Sequence, residues 1–186
     1  MKAGMEKMKI KNILQFLIIL LISLSIFSCS MLSRKYEKRE TIEYKVNTQN
    51  KTKLSVSNIS GKFTISRSDS ATGLVINAEK IGHVKKKDLD KPLDQIKINI
   101  DTSSDVITVN SETERRKGWI HFDMHADEVN YDIKLPPGIK LSIEDVNGDI
   151  DLNSISNETT ISAVNGKITF SNLTGIHDLS TTNGSI

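Results

Sequence analysis

The sequence predicts an all-β fold: a short right-handed β-solenoid with 18-residue coils, preceded by strands that pair into the same core. Three observations carry this. Apolar and polar residues alternate at period two from Leu54 onward, the pattern of half-buried strands. Asn-Gly pairs recur at Asn147-Gly148, Asn165-Gly166 and Asn183-Gly184, 18 residues apart each time. Cys29 is the sole cysteine, so no intrachain disulfide frame can replace a packed core. The same short strands also suit a β-sandwich, which is the alternative.

Before the strands comes a leader. Lys7, Lys9 and Lys11 precede a mostly apolar run over residues 13–27, then Ile26-Phe27-Ser28-Cys29. The run is shorter than the ~20 residues of a spanning helix, and its layout is that of a secretory signal. An aliphatic residue three before the cysteine and a small one directly before it resemble a bacterial lipoprotein signal peptide over residues 1–28. Phe27 is larger than that motif usually carries. The resemblance implies diacylglycerol on the Cys29 sulfur, cleavage before Cys29 and acylation of its amine. Each buried acyl CH₂ contributes ~0.8 kcal/mol, so more than one chain gives firm attachment to the membrane.

The leader also explains the charge. Four of the 25 basic and one of the 23 acidic side chains lie in residues 1–28, leaving 21 against 22, a net of −1. No nucleic-acid partner is expected of such a surface. Residues 29–44 read as the lipidated cysteine and a polar tether. Arg34, Lys35, Lys38 and Arg39 carry the charge to meet anionic headgroups, but a solvated spacer is the preferred reading.

The domain is expected over residues 45–186. Leu54 and Val56, then Phe63 and Ile65, alternate on either side of Asn58-Ile59-Ser60-Gly61. Leu74, Ile76 and Ala78 mark another strand, and Ile96, Ile98 and Ile100 the next. Val106 to Val109 follows a Ser-Ser-Asp turn. Residues 82–94 and 112–117 are charged and read as surface loops, the first with room for a short helical turn.

From about residue 139 the chain repeats. Ile143, Ile161 and Leu179 fall in register, as do Ile150, Ile168 and Ile186, Leu152 and Phe170, and Ile155 and Leu173. An Asn-Gly hairpin explains a turn, but not so even a period. Stacked coils do: equivalent residues then form internal columns at about 4.8 Å spacing, and Asn side chains can hydrogen-bond along the axis. A single coil cannot bury its own apolar face, so stacking supplies the core.

These Asn-Gly units, together with Val129-Asn130-Tyr131-Asp132-Ile133-Lys134-Leu135-Pro136-Pro137-Gly138, resemble the bacterial putative-adhesin family of β-strand-repeat envelope domains. That family is similar to the head domain called GIN. The resemblance spans roughly residues 45–186. It implies a non-enzymatic envelope protein with no cofactor and no catalytic residues to carry over. A polysaccharide or an envelope protein would be its partner. The cell envelope would be its location, at the outer membrane in a diderm. A periplasmic structural or envelope-stress accessory is the second reading.

Candidate sites are few. His121, Asp123, His125 and Asp127 alternate, so on a strand they share one face and can chelate a cation such as Zn²⁺. An exposed polar face over a buried one gives the same pattern and is the preferred reading. Asn147, Asp149 and Asp151 suggest a calcium corner, but Lys167 and Thr169 replace both acids one repeat later. The same two acids are the candidates of a degenerate carbohydrate-active enzyme, the remote alternative. Trp119 reads as a partly buried strand residue rather than a sugar platform. The chain reaches Ile186 two residues after an Asn-Gly corner without a capping element, so a continuation beyond it is expected.

Overall fold

The computed structural model describes residues 35–113 and 127–186. The described strands belong to the unit from Tyr36 to Ile186, apart from the first residue of β1. They are β1 (Lys35–Asn47), β2 (Lys53–Ser60), β3 (Phe63–Arg67), β4 (Gly73–Lys85), β5 (Ile96–Asp101), β6 (Val106–Thr113), β7 (Glu128–Leu135), β8 (Lys140–Asn147), β9 (Ile150–Asn153), β10 (Thr159–Ser171) and β11 (His177–Ser185). All lie in one mixed sheet ordered β1-β4-β7-β3-β9-β10-β8-β2-β6-β5, with β11 also paired to β10.

β10 belongs to two ribbons at once. Its first half pairs in parallel with β8 and β11, placing Ile143, Ile161 and Leu179 in one row. Its second half pairs in parallel with β9, setting Ile150 against Ile168 and Leu152 against Phe170. The 18-residue repeat is therefore a stacking period, as its spacing predicts. Asn165-Gly166 lies inside β10 and Asn183-Gly184 inside β11. These pairs are corners within continuous strands, in keeping with stacked coils rather than with the hairpin alternative.

The stack does not follow chain order. β2 lies between β6 and β8, and β3 between β7 and β9, all parallel. Residues 53–67 thus form a coil inside the stack rather than strands that precede it. Beyond them, β4 pairs antiparallel with β7 and β5 antiparallel with β6, and β1 flanks β4. These antiparallel strands close one end of the stack.

Alternation decides what is buried. In β2 the residues Leu54, Val56 and Asn58 point inward, in β8 Leu141, Ile143 and Asp145, and in β7 Val129, Tyr131, Ile133 and Leu135. Both ribbons feed one core, which includes Phe63, Ile65, Leu74, Ile76, Leu93, Ile107, Ile150 and Ile155. Phe63 stacks on Tyr131 with ring centroids 5.2 Å apart. Each such fully buried side chain contributes about 1.5–3 kcal/mol before entropy is counted.

Three expectations need correction. The tether does not run to residue 44, because Lys35–Asn47 is a strand. Its core-side positions begin with Lys38 and Glu40 rather than apolar residues. The Lys38 amine donates to the Lys91 carbonyl at 2.5 Å and the Glu40 carboxylate accepts from Leu93 N–H at 3.1 Å, so apolar alternation starts only at Ile42 and runs on through Tyr44 and Val46. The charged segment from residue 82 is shorter than predicted: β4 continues to Lys85, a single 3-10 turn covers Lys86–Asp88, and Leu93 is fully buried. Ile186 lies past β11 and is 57% exposed, so it does not complete the column of Ile150 and Ile168.

Candidate binding surface

The corner column runs through four coils. A Cβ on Gly61 would meet the Val129 carbonyl; on Gly148, the Gly61 carbonyl oxygen; on Gly166, that of Gly148; on Gly184, that of Gly166. Glycine is required here because neighbouring backbones touch, and Gly61 and Gly166 also have φ of 132° and 144°. Beside the glycines runs a side-chain ladder. Asn183 Nδ2 donates to Asn165 Oδ1 at 3.1 Å, Asn165 Nδ2 to Asn147 Oδ1 at 2.8 Å, and Asn147 Nδ2 to the Ile59 carbonyl at 3.3 Å. The repeat-turn residues Asn147, Gly148, Asn165, Gly166, Asn183 and Gly184 thus line up in one column along the stack.

The outward face of the second ribbon is mostly polar, with Val75 opposite Lys134 as an apolar exception. Register places Asn77, Asp132, Thr64, Asp151 and Thr169 in one row across five adjacent strands. Asn130 faces Glu79 in the next row. A groove of about 250 Å³ opens here, lined by Thr41, Lys62, Thr64, Asn77, Glu79, Asn130, Tyr131 and Asp132. The Tyr131 ring packs into the core, so its backbone forms the floor. Asn130 Nδ2 and Arg39 each reach Glu79 at 3.0 Å. Those bonds, the Asn130 amide first, hold the Glu79 carboxyl below its ordinary range and keep it an acceptor. Lys134 Nζ donates to Ser66 Oγ at 2.7 Å. The groove therefore offers carboxylate, amide and hydroxyl groups at strand spacing, a set suited to a hydroxyl-rich ligand.

Asp149 and Asp151 are structural. Asp149 Oδ1 accepts the Lys167 N–H at 2.8 Å, and Asp151 takes Lys62 Nζ at 2.5 Å as well as the Thr169 hydroxyl. Thr169 partners Asp151 across coils through its side chain, whereas residue 167 serves Asp149 through its backbone N–H alone. Lys38 and Arg39 are neither solvated spacer residues nor free for headgroups: Lys38 pairs with Glu40 at 3.1 Å and Lys91, and Arg39 with Glu37 and Glu79. Of the alternating His/Asp set, His121, Asp123 and His125 lie outside the described residues, as do Cys29, Arg34 and Trp119. Asp127 is described, and its Oδ1 accepts the His83 N–H at 3.2 Å.

One buried feature was not singled out from the sequence. Asn58, Ser111 and Asp145 form an inward polar column on β2, β6 and β8. Ser111 Oγ donates to Asn58 Oδ1, and Asn58 Nδ2 donates to the Val129 carbonyl at 3.3 Å. Asp145 is 3% exposed, with no hydrogen bond of good geometry to either carboxylate oxygen. Burial pushes its carboxyl up to about 6, while the Val146 N–H and the Asn58 amide restrain the rise. The alternation of β2 and β8 already puts Asn58 and Asp145 on the core side, and that was the available signal.

Among the described residues no helix is long and apolar enough to cross a membrane. No family model and no curated protein matches the chain. Among solved structures the chain is similar to a putative cell adhesion protein from Clostridium sporogenes ATCC 15579, at 12% identity and a TM-score of 0.39, over 80% of this chain and 100% of that one. It is also similar to a putative adhesin from Bacteroides fragilis NCTC 9343, at 9% identity and a TM-score of 0.26, over 79% and 97%. At these scores neither likeness bears on the function of this chain.

Proposed function

We propose that the chain is a non-enzymatic, lipid-anchored cell-envelope module that holds an extended polysaccharide on the outward face of its second ribbon. Attachment to the membrane is through lipidated Cys29. The observation that carries the binding role is the registered row Asn77–Asp132–Thr64 beside the groove under Glu79 and Asn130. Its groups come from three adjacent strands, so the spacing is fixed by the sheet rather than by a loop. A preorganised surface loses little freedom on binding. We read the stack as a right-handed solenoid. Parallel pairing at an 18-residue offset supports this over a sandwich, whose strands are commonly antiparallel, and crossovers between parallel strands are almost always right-handed.

The test is co-sedimentation of the folded protein with insoluble envelope polysaccharide from the producing cell. The parent protein is compared with Asn77→Ala/Asp132→Ala. Saturable binding, weakened about tenfold or more in the double variant, is the expected result. Absence of saturable binding to every envelope polysaccharide, or equal binding by both proteins, overturns the proposal.

A further inference from the structure

Asn-Gly is a reactive pair. Glycine has no Cβ to shield its nitrogen and turns freely into the conformation that attack needs. In an unfolded chain the glycine nitrogen attacks the asparagine Cγ. A new N–Cγ bond forms, and the side-chain nitrogen leaves as ammonia, taking the proton lost by the glycine amide. Water then opens the five-membered imide at either carbonyl, giving aspartate or iso-aspartate. Iso-aspartate routes the main chain through the side-chain carboxyl and adds one CH₂ to the backbone. The stack holds the reacting groups of Asn147 and Asn165 out of this geometry. Gly148 N–H donates to the Asn165 carbonyl at 3.0 Å. The Asn147 amide is tied at both atoms, Nδ2 to the Ile59 carbonyl at 3.3 Å and Oδ1 to Asn165 Nδ2 at 2.8 Å. Asn165 Oδ1 accepts in turn from Asn183 Nδ2 at 3.1 Å. Each amide is bonded to a neighbouring coil, not turned toward its own glycine.

We propose that Asn147-Gly148 and Asn165-Gly166 are deamidation sites guarded by the fold, and that the ladder is a one-way record of unfolding. Folding suppresses the reaction at both pairs. Time spent unfolded converts them, and a converted chain cannot rebuild the column. The corner has no room for the product. A Cβ on Gly148 would already collide with the Gly61 carbonyl, and one on Gly166 with the Gly148 carbonyl. An extra main-chain CH₂ displaces the glycine from that contact and breaks the register Ile161↔Ile143 and Ile168↔Ile150 on its two sides. Plain aspartate at 165 also disrupts the ladder, because it puts an acceptor against Asn147 Oδ1 where the amide donated. The coil of residues 53–67 carries the unreactive alternative. Ser60 pairs with Asn147 in register and precedes Gly61, and serine has no amide to lose. The column therefore does not need asparagine in every coil.

The test ages the full chain in mildly alkaline buffer, with and without guanidinium chloride. Peptide mass mapping follows the one-dalton gain at Asn147 and Asn165, and isoaspartyl methyltransferase labelling identifies iso-aspartate. Conversion at both sites should be about tenfold or more slower in the folded chain, because reaction there waits on local opening. After dilution from denaturant, the converted fraction should fail to regain the cooperative unfolding transition seen by circular dichroism. Asn147→Ser/Asn165→Ser, copying Ser60, should regain it fully after the same ageing. Parent chain aged in denaturant at mildly acid pH, where ring closure is slow, should regain it too. That control holds even where the serine variant does not fold. Equal conversion rates in folded and unfolded chain overturn the proposal. So does a converted chain that refolds as fresh chain does.

Discussion

Replacing Asp145 by asparagine should stabilise the protein, and only above acid pH. The side chain points into the core from β8, between Asn58 on one neighbouring strand and Ala163 on the other. Its carboxyl is raised from an ordinary 3.8 to about 6, chiefly by burial. At ~1.4 kcal/mol per pH unit, ionising it in the native state costs about 3 kcal/mol relative to the unfolded chain. The sign follows from proton counting. Between about pH 4 and 6 the native state binds more protons than the unfolded state, so stability from this group is present below the unfolded pKa. It is lost as pH rises through the folded value. The substituted amide cannot ionise and keeps the shape of the carboxyl. Urea unfolding of the folded protein and of Asp145→Asn, followed by circular dichroism from pH 4 to 8, should show equal stability near pH 4. The variant should gain about 2–3 kcal/mol by pH 7. Asp145→Ala, matching the Ala163 of the next coil, should show the same pH trend. A gap that does not change with pH, or a parent protein that is the more stable at pH 8, would refute a strained buried carboxylate.

Three further outcomes are expected. Gly166→Ala forces a Cβ against the Gly148 carbonyl at a φ of 144° and should cost at least about 2 kcal/mol by the same unfolding assay; a neutral result would mean the corner column is not in contact. Tyr131→Phe should change stability by less than about 1 kcal/mol, because the buried hydroxyl has no partner of good geometry while the ring stack on Phe63 is kept. Loss of several kcal/mol would reveal a hydroxyl contact that matters. Cys29→Ser should abolish incorporation of labelled palmitate and release the protein from membranes; continued labelling would place the acyl chains elsewhere.

Much of the fold is legible because alternation and period answer to the same physics that packs the stack. Leu54, Val56, Phe63 and Ile65 are all buried where period two puts them. The spacing of Val146-Asn147-Gly148, Val164-Asn165-Gly166 and Thr182-Asn183-Gly184 translates directly into register. The central position of residues 53–67 was also written in the sequence. Gly61 lies seven positions after Leu54 as Gly148 does after Leu141, and Phe63 follows Gly61 as Ile150 follows Gly148. Ser60 in place of asparagine hides the match, since the glycine alone is what backbone contact requires there. Only the second part of β1 is legible, through Ile42, Tyr44 and Val46; its first inward positions are Lys38 and Glu40, which satisfy loop backbone groups rather than fill the core. The groove was not visible from any local motif. Asn77, Asp132 and Thr64 come together only through long-range pairing.

Protease shaving of intact cells that carry a C-terminal tag decides whether the anchored polysaccharide-binding face is displayed outside the cell. Loss of the tag in intact cells, to the extent seen after lysis, with the signal retained on membranes when protease is omitted, is the expected result. A tag protected in intact cells and digested only after lysis overturns display at the surface.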